Sequence, residues 1–408
     1  MRRYWLAIAT LVALAVSLSA QTPAARRTVA IKAGRLLDVA TREVRTGAVI
    51  IVEGDRIRAI ESAVPAGAEV IDLSEYTVAP GFIDAHTHAL LQGDATAAEY
   101  DGQLLKESMP FRALRATRAL RIALDHGFTT MRDIGNEGAG FADVDLKQAI
   151  ERGIIQGPRL FVATKALAPT GAYGLSGYAW ELDVPRGVQM CDGADGCRQA
   201  VRDQINHGAD WIKVYADRSY YADADGAIRS LPNFTVDEMR AIVDQAHRTR
   251  RKVAAHSMTP TGHGIALGAG VDSIEHGDVL DEKSIKTMVE RGVYWCPTLT
   301  VGDFVDGPRS VTNPIWSVAP RRIARIVSKG VQGGREDRHR YRCRRVRLGQ
   351  EQPGGGVSPL HRARHVNVGC AARGDHRPGR DARPGGHSRD DRARCPCGSR
   401  RDARRSAV

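Results

Sequence analysis

The chain has 408 residues, enough to bury one large core and carry a small appendage. Its formal charge of +12 points at face value to an anionic partner, but the distribution excludes that for the body of the protein. Residues 331–408 hold 20 Arg, no Lys and 8 acidic residues, a net of +12, which leaves 39 basic and 39 acidic residues in 1–330.

Residues 1–20 read as an export signal. Arg2 and Arg3 give a positive start, Tyr4 to Leu18 an apolar run, and Ser19-Ala20 a small-residue cleavage site. The run is shorter than the ~20 residues a membrane span needs, so no stable span is expected after cleavage. The expected location is exported, periplasmic or secreted.

Residues 28–78 alternate short apolar strands with turns and predict a small β domain. The strands are Thr28–Ile31, Ala48–Val52, Arg56–Ile60 and Glu69–Leu73, punctuated by Gly34, Gly47, Gly54 and Pro65-Ala66-Gly67. From residue 79 the pattern becomes strand then helix, repeatedly. Strands are expected at 79–88, Gly127–Ile134, Arg159–Ala168, Trp211–Ala216, Lys252–His256, Ser273–His276 and Val293–Thr300. Helices are expected at Arg112–Leu124, Gly196–His207, Val236–Arg250 and Asp281–Arg291, with Thr235 and Glu238 forming a capping box. This alternation argues for parallel strands with crossover helices, an α/β fold one strand short of a closed (β/α)8 TIM-type barrel.

The chemistry sits at the strand ends. In Ala79-Pro80-Gly81-Phe82-Ile83-Asp84-Ala85-His86-Thr87-His88, the two histidines leave the same strand face, offering two neutral nitrogen donors to a divalent metal such as zinc. His256 ends Val253-Ala254-Ala255-His256, and His276 ends Ser273-Ile274-Glu275-His276. Lys213 lies inside the apolar strand Trp211-Ile212-Lys213-Val214-Tyr215, where a charged amine is costly unless paired or modified. Barrel enzymes place their sites at such carboxyl ends. His126, His207, His247 and His263 fall in helices or loops and read as structural or solvated. Cys191 and Cys197 flank a Gly/Asp-rich loop and are equally compatible with a disulfide or two thiols, whereas Cys296 in an apolar strand reads as core.

These pieces resemble the amidohydrolase superfamily, and within it the imidazolonepropionase-like branch that includes Xaa-Pro dipeptidases. The matching motifs are Pro80–His88, Gly127-Phe128-Thr129-Thr130-Met131-Arg132-Asp133, Gly208-Ala209-Asp210-Trp211-Ile212-Lys213-Val214-Tyr215, Val253–His256 and Asp272-Ser273-Ile274-Glu275-His276-Gly277. The resemblance implies a metal-dependent barrel over 79–330, and a small β-sandwich built from both chain ends. It implies that His86, His88, His256 and His276 are ligands to two divalent ions, expected to be zinc, and that Lys213 becomes a bridging carbamate. It also implies hydrolysis of an amide bond in a dipeptide or other small molecule, with a strand-eight aspartate moving the proton. Pro169-Thr170-Gly171-Ala172-Tyr173-Gly174 and Tyr215 are candidate substrate contacts, a rigid turn and a packed tyrosine being the alternatives. A homo-oligomer is compatible with all of this; a nucleic-acid partner is not expected.

The pattern breaks after about residue 330. The family's eighth strand reads like Gly-Thr-Asp-Ala-Gly, but here the chain continues Arg335-Glu336-Asp337-Arg338-His339-Arg340-Tyr341-Arg342-Cys343-Arg344-Arg345. The tail, 331–408, has 12 Gly and 5 Pro but no Ile, Phe, Trp, Met or Lys, so it has no means of building core and is expected to be disordered. Codons for His339 to Arg345, regrouped after dropping one nucleotide, can encode Thr-Gly-Thr-Asp-Ala-Gly. A slip of the reading frame between Ser328 and His339 is the resulting hypothesis. The chain is then an enzyme impaired by loss of its aspartate; the alternatives are a cyclic-amide or N-acyl amino acid hydrolase and a metal-binding protein without catalysis.

Overall fold

The computed structural model describes residues 27–317. The export signal, the tail, the tail cysteines and the expected site of strand eight lie outside the described residues. By internal contacts the described chain falls into two units, residues 27–35 with 47–77, and residues 36–46 with 78–317.

The smaller unit is built on a four-stranded sheet, ordered β3-β2-β1-β4, from β1 (Thr28–Asp38), β2 (Glu43–Glu53), β3 (Arg56–Glu61) and β4 (Glu69–Val78). All four expected strands are present, longer at one or both ends. Ala30, Val49 and Ile51 bury one side with Ala59 and Ala68, while Ile57, Val70 and Ile71 stay exposed. Among the described residues this is one sheet and not a sandwich; a second layer would have to come from residues outside them.

The larger unit alternates strand and helix because each strand is buried and needs a crossover to run parallel with the next. Its strands are β5 (Phe82–Thr87), β6 (Phe128–Asp133), β7 (Arg159–Val162), β8 (Ala166–Ala168), β9 (Val188–Met190), β10 (Trp211–Tyr215), β13 (Lys252–Ser257), β14 (Ser273–His276) and β15 (Tyr294–Cys296), with a hairpin of β11 (Asp217–Ala222) and β12 (Ile228–Pro232) inserted after β10. They form a sheet β5-β6-β7 and a second sheet β15-β14-β13-β10-β8-β9. All ladders of both sheets are parallel.

The helices are α1 (Ala97–Lys106), α2 (Met109–Asp125), α3 (Ala142–Glu151), α4 (Gly193–Asn206), α5 (Val236–Arg248), α6 (Pro260–Ala269), α7 (Glu282–Arg291) and α8 (Leu299–Ser310). Ile212, Val214, Val253 and Ile274 pack outward against Val201 of α4, Ile242 of α5, Leu267 of α6 and Met288 of α7 in one apolar layer. Met131, Leu160 and Val162 pack likewise on Leu120 of α2 and Val144 of α3. The expected capping box is present: Glu238 N donates to Thr235 Oγ1, and Thr235 N donates to Glu238 Oε2. Thr96 and Glu99 repeat the device at α1.

Three expectations need correction. The single strand Arg159–Ala168 is two, because Thr164 takes a left-handed backbone (φ +59°) between them. The strand Val293–Thr300 ends at Cys296, and α8 starts at Leu299. The segment between Cys191 and Cys197 is not a loop but the first turn of α4, and a disulfide joins the two buried sulfurs. No closed barrel forms among the described residues. The ring is interrupted between β7 and β8, and β5 and β15 each end a sheet where a strand between them would close it.

His263 of α6 is wholly buried, and burial pushes its pKa down to about 4. The fold therefore holds a neutral ring. Its contribution is complete above the unfolded value near 6.5 and is lost as pH falls from there towards 4. Thermal unfolding should show wild type losing about 2 kcal/mol more stability than His263→Leu between pH 7 and pH 5.

Candidate metal centre

Register gathers the polar strand ends. In the β10–β13–β14–β15 ladders Lys213 pairs with Ala254, Tyr215 with His256, His256 with Glu275, Ser257 with His276 and Glu275 with Cys296. Because Ile212 and Val214 face the helices, alternation turns Lys213 and Tyr215 to the opposite face. His86 and His88 come from the end of β5. The ring centres of His86 and His88 lie 5.3 Å apart, those of His86 and His276 4.9 Å, and those of His256 and His276 4.5 Å. Four of the five residues singled out as ligand candidates thus lie at or just past the carboxyl ends of β5, β13 and β14, while Lys213, expected at a strand end, is the middle residue of β10. Two imidazoles on one tetrahedral zinc, each with Zn–N near 2 Å, place their ring centres about 5 Å apart, so the spacing fits.

The tautomers fit as well. His88 Nδ1 meets the Gly135 carbonyl at 2.8 Å, and His276 Nδ1 meets Thr298 Oγ1 at 2.8 Å. Donation from Nδ1 leaves Nε2 with its lone pair free. Gly135 has φ +153°, and a Cβ there would sit 3.3 Å from the His88 ring. Burial pushes His86, His256 and His276 well below the usual imidazole pKa, and neighbouring cationic groups, Lys213 among them, push the same way. Neutral imidazole is the form that binds metal.

Lys213 is 1% exposed. Burial brings its pKa down to about 8, against the upward pull of Glu275 and Glu137. The amine lies 5.5 Å from the centre of the Tyr215 ring.

Sequence reasoning missed the anions of the site. Glu275, wholly buried, accepts from Arg132 Nη2 at 2.7 Å and Ser273 Oγ at 2.5 Å, and its other oxygen meets His86 Nδ1 at 2.8 Å. Arg132 is itself braced on the Ala85 carbonyl and on the Trp211 ring. The donor atoms of His86, Glu275 and Cys296 lie within 4.8 Å of one another. Since both Glu275 oxygens are already engaged, we assign this carboxylate to orienting His86. Cys296, expected in the core, lies beside that group, and burial pushes its thiol well above the usual range. Glu137, after β6, accepts from Tyr100 and Tyr173 on Oε2 at 3.0 and 2.9 Å and from Tyr215 on Oε1 at 3.0 Å. Tyr173 and Tyr215, the candidate substrate contacts, are therefore tied by their hydroxyls to a buried carboxylate. Of the histidines set aside, His207 stacks on Phe141 and His247 pairs with Asp272.

Comparison with known proteins places the chain among relatives of one family. The family model described as "Amidohydrolase family" matches residues 77–316. The chain is 30% identical over 237 residues to an ochratoxinase of Aspergillus niger, covering 54% of this chain and 48% of the relative. It is 25% identical over 262 residues to an imidazolonepropionase of Paenarthrobacter aurescens (strain TC1), covering 62% and 60%. The chain spans about half the length of the first of these curated relatives. Among solved structures, an Xaa-Pro dipeptidase with bound methionine superposes with a TM-score of 0.65 at 30% identity, covering 75% of this chain and 77% of that one.

If Glu275 orients His86, Glu275→Gln should weaken zinc binding by about 10- to 100-fold while leaving the fold intact. Equilibrium dialysis against zinc buffers, with circular dichroism as the control, measures this; unchanged affinity would remove Glu275 from the centre.

Proposed function

The chain belongs to the amidohydrolase family, and from that premise we propose that it is an exported, metal-dependent hydrolase of amide C–N bonds, dipeptidase- or prolidase-like, impaired in the polypeptide as it stands. The observation that carries the reading is the convergence of His86, His88, His256 and His276 around the buried amine of Lys213. Export is supported by the charged-then-apolar start of the chain and by the Cys191–Cys197 disulfide, which belongs to an oxidising compartment.

His86, His88, His256 and His276 would hold two divalent ions, zinc by the chemistry of the donors, completing the (β/α)8 barrel site of the family. Ions bound there supply an acidified water and a polarised scissile carbonyl. The chain's own residues prepare the place. Glu275 and Arg132 hold the His86 ring, and the Gly135 carbonyl and Thr298 hydroxyl fix His88 and His276. Lys213, with its pKa near 8, has roughly a tenth of its amine neutral at pH 7. A neutral amine can add carbon dioxide through its nitrogen with release of one proton to water; the carbamate so formed would replace a buried cation with an anionic oxygen donor for a metal.

Impairment follows from the tail. The proton-transfer aspartate of the family has no counterpart in 331–408, where no Gly-Thr-Asp-Ala-Gly occurs. Its loss costs on the order of 10²- to 10⁴-fold in turnover. The edge positions of β5 and β15, the exposed Ile57, Val70 and Ile71, and a family match that ends at 316 all agree with a C-terminal part replaced by a shifted reading frame. The missing aspartate also favours one second reading, metal binding without turnover.

The test compares the given chain with a version carrying the one-base correction, both loaded with zinc and offered Xaa-Pro dipeptides, N-acyl amino acids and cyclic amides. We expect zinc in both and turnover at least 100-fold higher in the corrected chain. Zinc without turnover in both supports the binding protein. Resequencing that finds no single-base change restoring Gly-Thr-Asp-Ala-Gly would sink the frame hypothesis. In either chain His276→Ala should lower bound zinc by at least one ion per two chains.

A further inference from the structure

Beside the histidine cluster lies a constellation that a metal centre does not require. Glu137 is 1% exposed and holds a left-handed backbone, φ +50°, which a non-glycine residue adopts only when its surroundings impose it. Arg112, also buried, imposes it: Nη2 donates to the Glu137 carbonyl at 2.8 Å and the Asn136 carbonyl at 3.2 Å, while Nε donates to Leu90 O at 3.0 Å. The carboxylate so aimed meets three phenols from three separate elements, namely Tyr100 on α1, Tyr173 after β8 and Tyr215 at the end of β10. Charge-assisted bonds of this kind are among the stronger ones a protein makes, and each phenol gives up its only donor to Glu137.

The rings follow from this. Tyr215 lies 4.9 Å from the His256 ring, Tyr173 stacks on Tyr215 at 4.4 Å and 26°, and Tyr100 meets Tyr173 edge-on at 6.0 Å. The result is a continuous aromatic wall running away from the cluster, with Tyr173 half-buried and able to touch a ligand. Because the hydroxyl donors point into Glu137, the wall offers a bound molecule ring surface and not O–H groups. Ring surface favours aromatic and bulky apolar groups.

We propose that Glu137 is a positioning residue that locks Tyr100, Tyr173 and Tyr215 into an aromatic wall beside the histidine cluster, and that this wall selects substrates with an aromatic or bulky apolar side chain next to the scissile amide. The inference rests on the cluster being the substrate site proposed above, and it deepens that reading by naming the substrate class.

Calorimetry on the full chain, with and without zinc, tests it using N-acetyl-L-phenylalanine and N-acetylglycine as probes. Wild type should bind the phenylalanine probe about tenfold more tightly than the glycine probe. Glu137→Gln keeps the size of the side chain but loses its charge; it should cost about tenfold for the phenylalanine probe and under twofold for the glycine probe. Should Glu137→Gln fail to fold, Tyr173→Leu, which removes the central ring, should abolish the preference, and Tyr173→Phe, which keeps it, should retain most of it. Equal binding of the two probes by wild type, or a preference that survives both Glu137→Gln and Tyr173→Leu, overturns the inference while leaving the metal centre untouched. A preference that depends on Glu137 in a chain that binds no zinc keeps the wall and removes the metal-dependent amidase.

Discussion

Crowding imidazoles, a lysine and an arginine around one buried point creates a positive site that folding must neutralise. His86 alone feels Lys213, His88, Arg132 and His256, all disfavouring its protonation. Burial does half of the work by holding the rings neutral. Two buried carboxylates do the rest: Glu275 between Arg132 and His86, and Glu137 beneath three phenols, both of which also favour the charged form of Lys213. Neither carboxylate is left with a bare oxygen, and so both can remain in the interior as anions without a prohibitive desolvation cost. The arrangement holds neutral imidazole nitrogens at fixed orientation, within a shell where buried carboxylates offset the buried cations.

The gathered histidines were legible in the sequence because they fall at or just past the ends of apolar runs. His-x-His needs only strand periodicity to put two rings on one face, and a lysine amid Trp211, Ile212, Val214 and Tyr215 declares itself by its cost. The carboxylates were not legible, for different reasons. Strict alternation places Glu275 and His276 on opposite faces. His276 instead has φ +69°, and that left-handed turn lets neighbours in sequence both reach His86. Glu137 sits in Gly135-Asn136-Glu137-Gly138-Ala139-Gly140, a loop with no period, where only the positive φ and the buried Arg112 mark it. A glutamate between glycines reads as solvated until three tyrosines from distant segments are seen around it.

The fold shows the same division. Helix and strand type came through wherever a long periodic run existed, as at α2, α4, α5 and α7. Short apolar runs were ambiguous: Val293–Thr300 holds three residues of strand and the start of α8, and the change falls at Thr298, whose φ is +46°. That residue also supplies the hydroxyl to His276 Nδ1. The break in the regular strand is thus what aims a ligand candidate, as Thr164 separates β7 from β8 while its carbonyl accepts from Asn136 N in the Glu137 loop. Local irregularity of this kind costs about 1–3 kcal/mol per residue and persists where the surroundings demand it.

In the proposed hydrolase, gathering a metal and turning over an amide would draw on different parts of the chain. Among the described residues the groups that orient ligand candidates include Arg132, itself braced on the Ala85 carbonyl, Glu275 and Thr298, on or beside strands whose helices are packed. Proton transfer to a leaving nitrogen needs a further acid–base group at hydrogen-bond distance from the reacting atoms, and strand ends are where such a group can be held rigidly. A strand placed between the open edges of β5 and β15 would neighbour β5, which carries His86. A carboxylate on a strand there would face the gathered imidazoles across the mouth of the site. In the proposed hydrolase, binding and turnover would therefore be physically separable, because the gathered imidazoles are oriented by groups within the described residues, whereas proton transfer to the leaving group would need a further one.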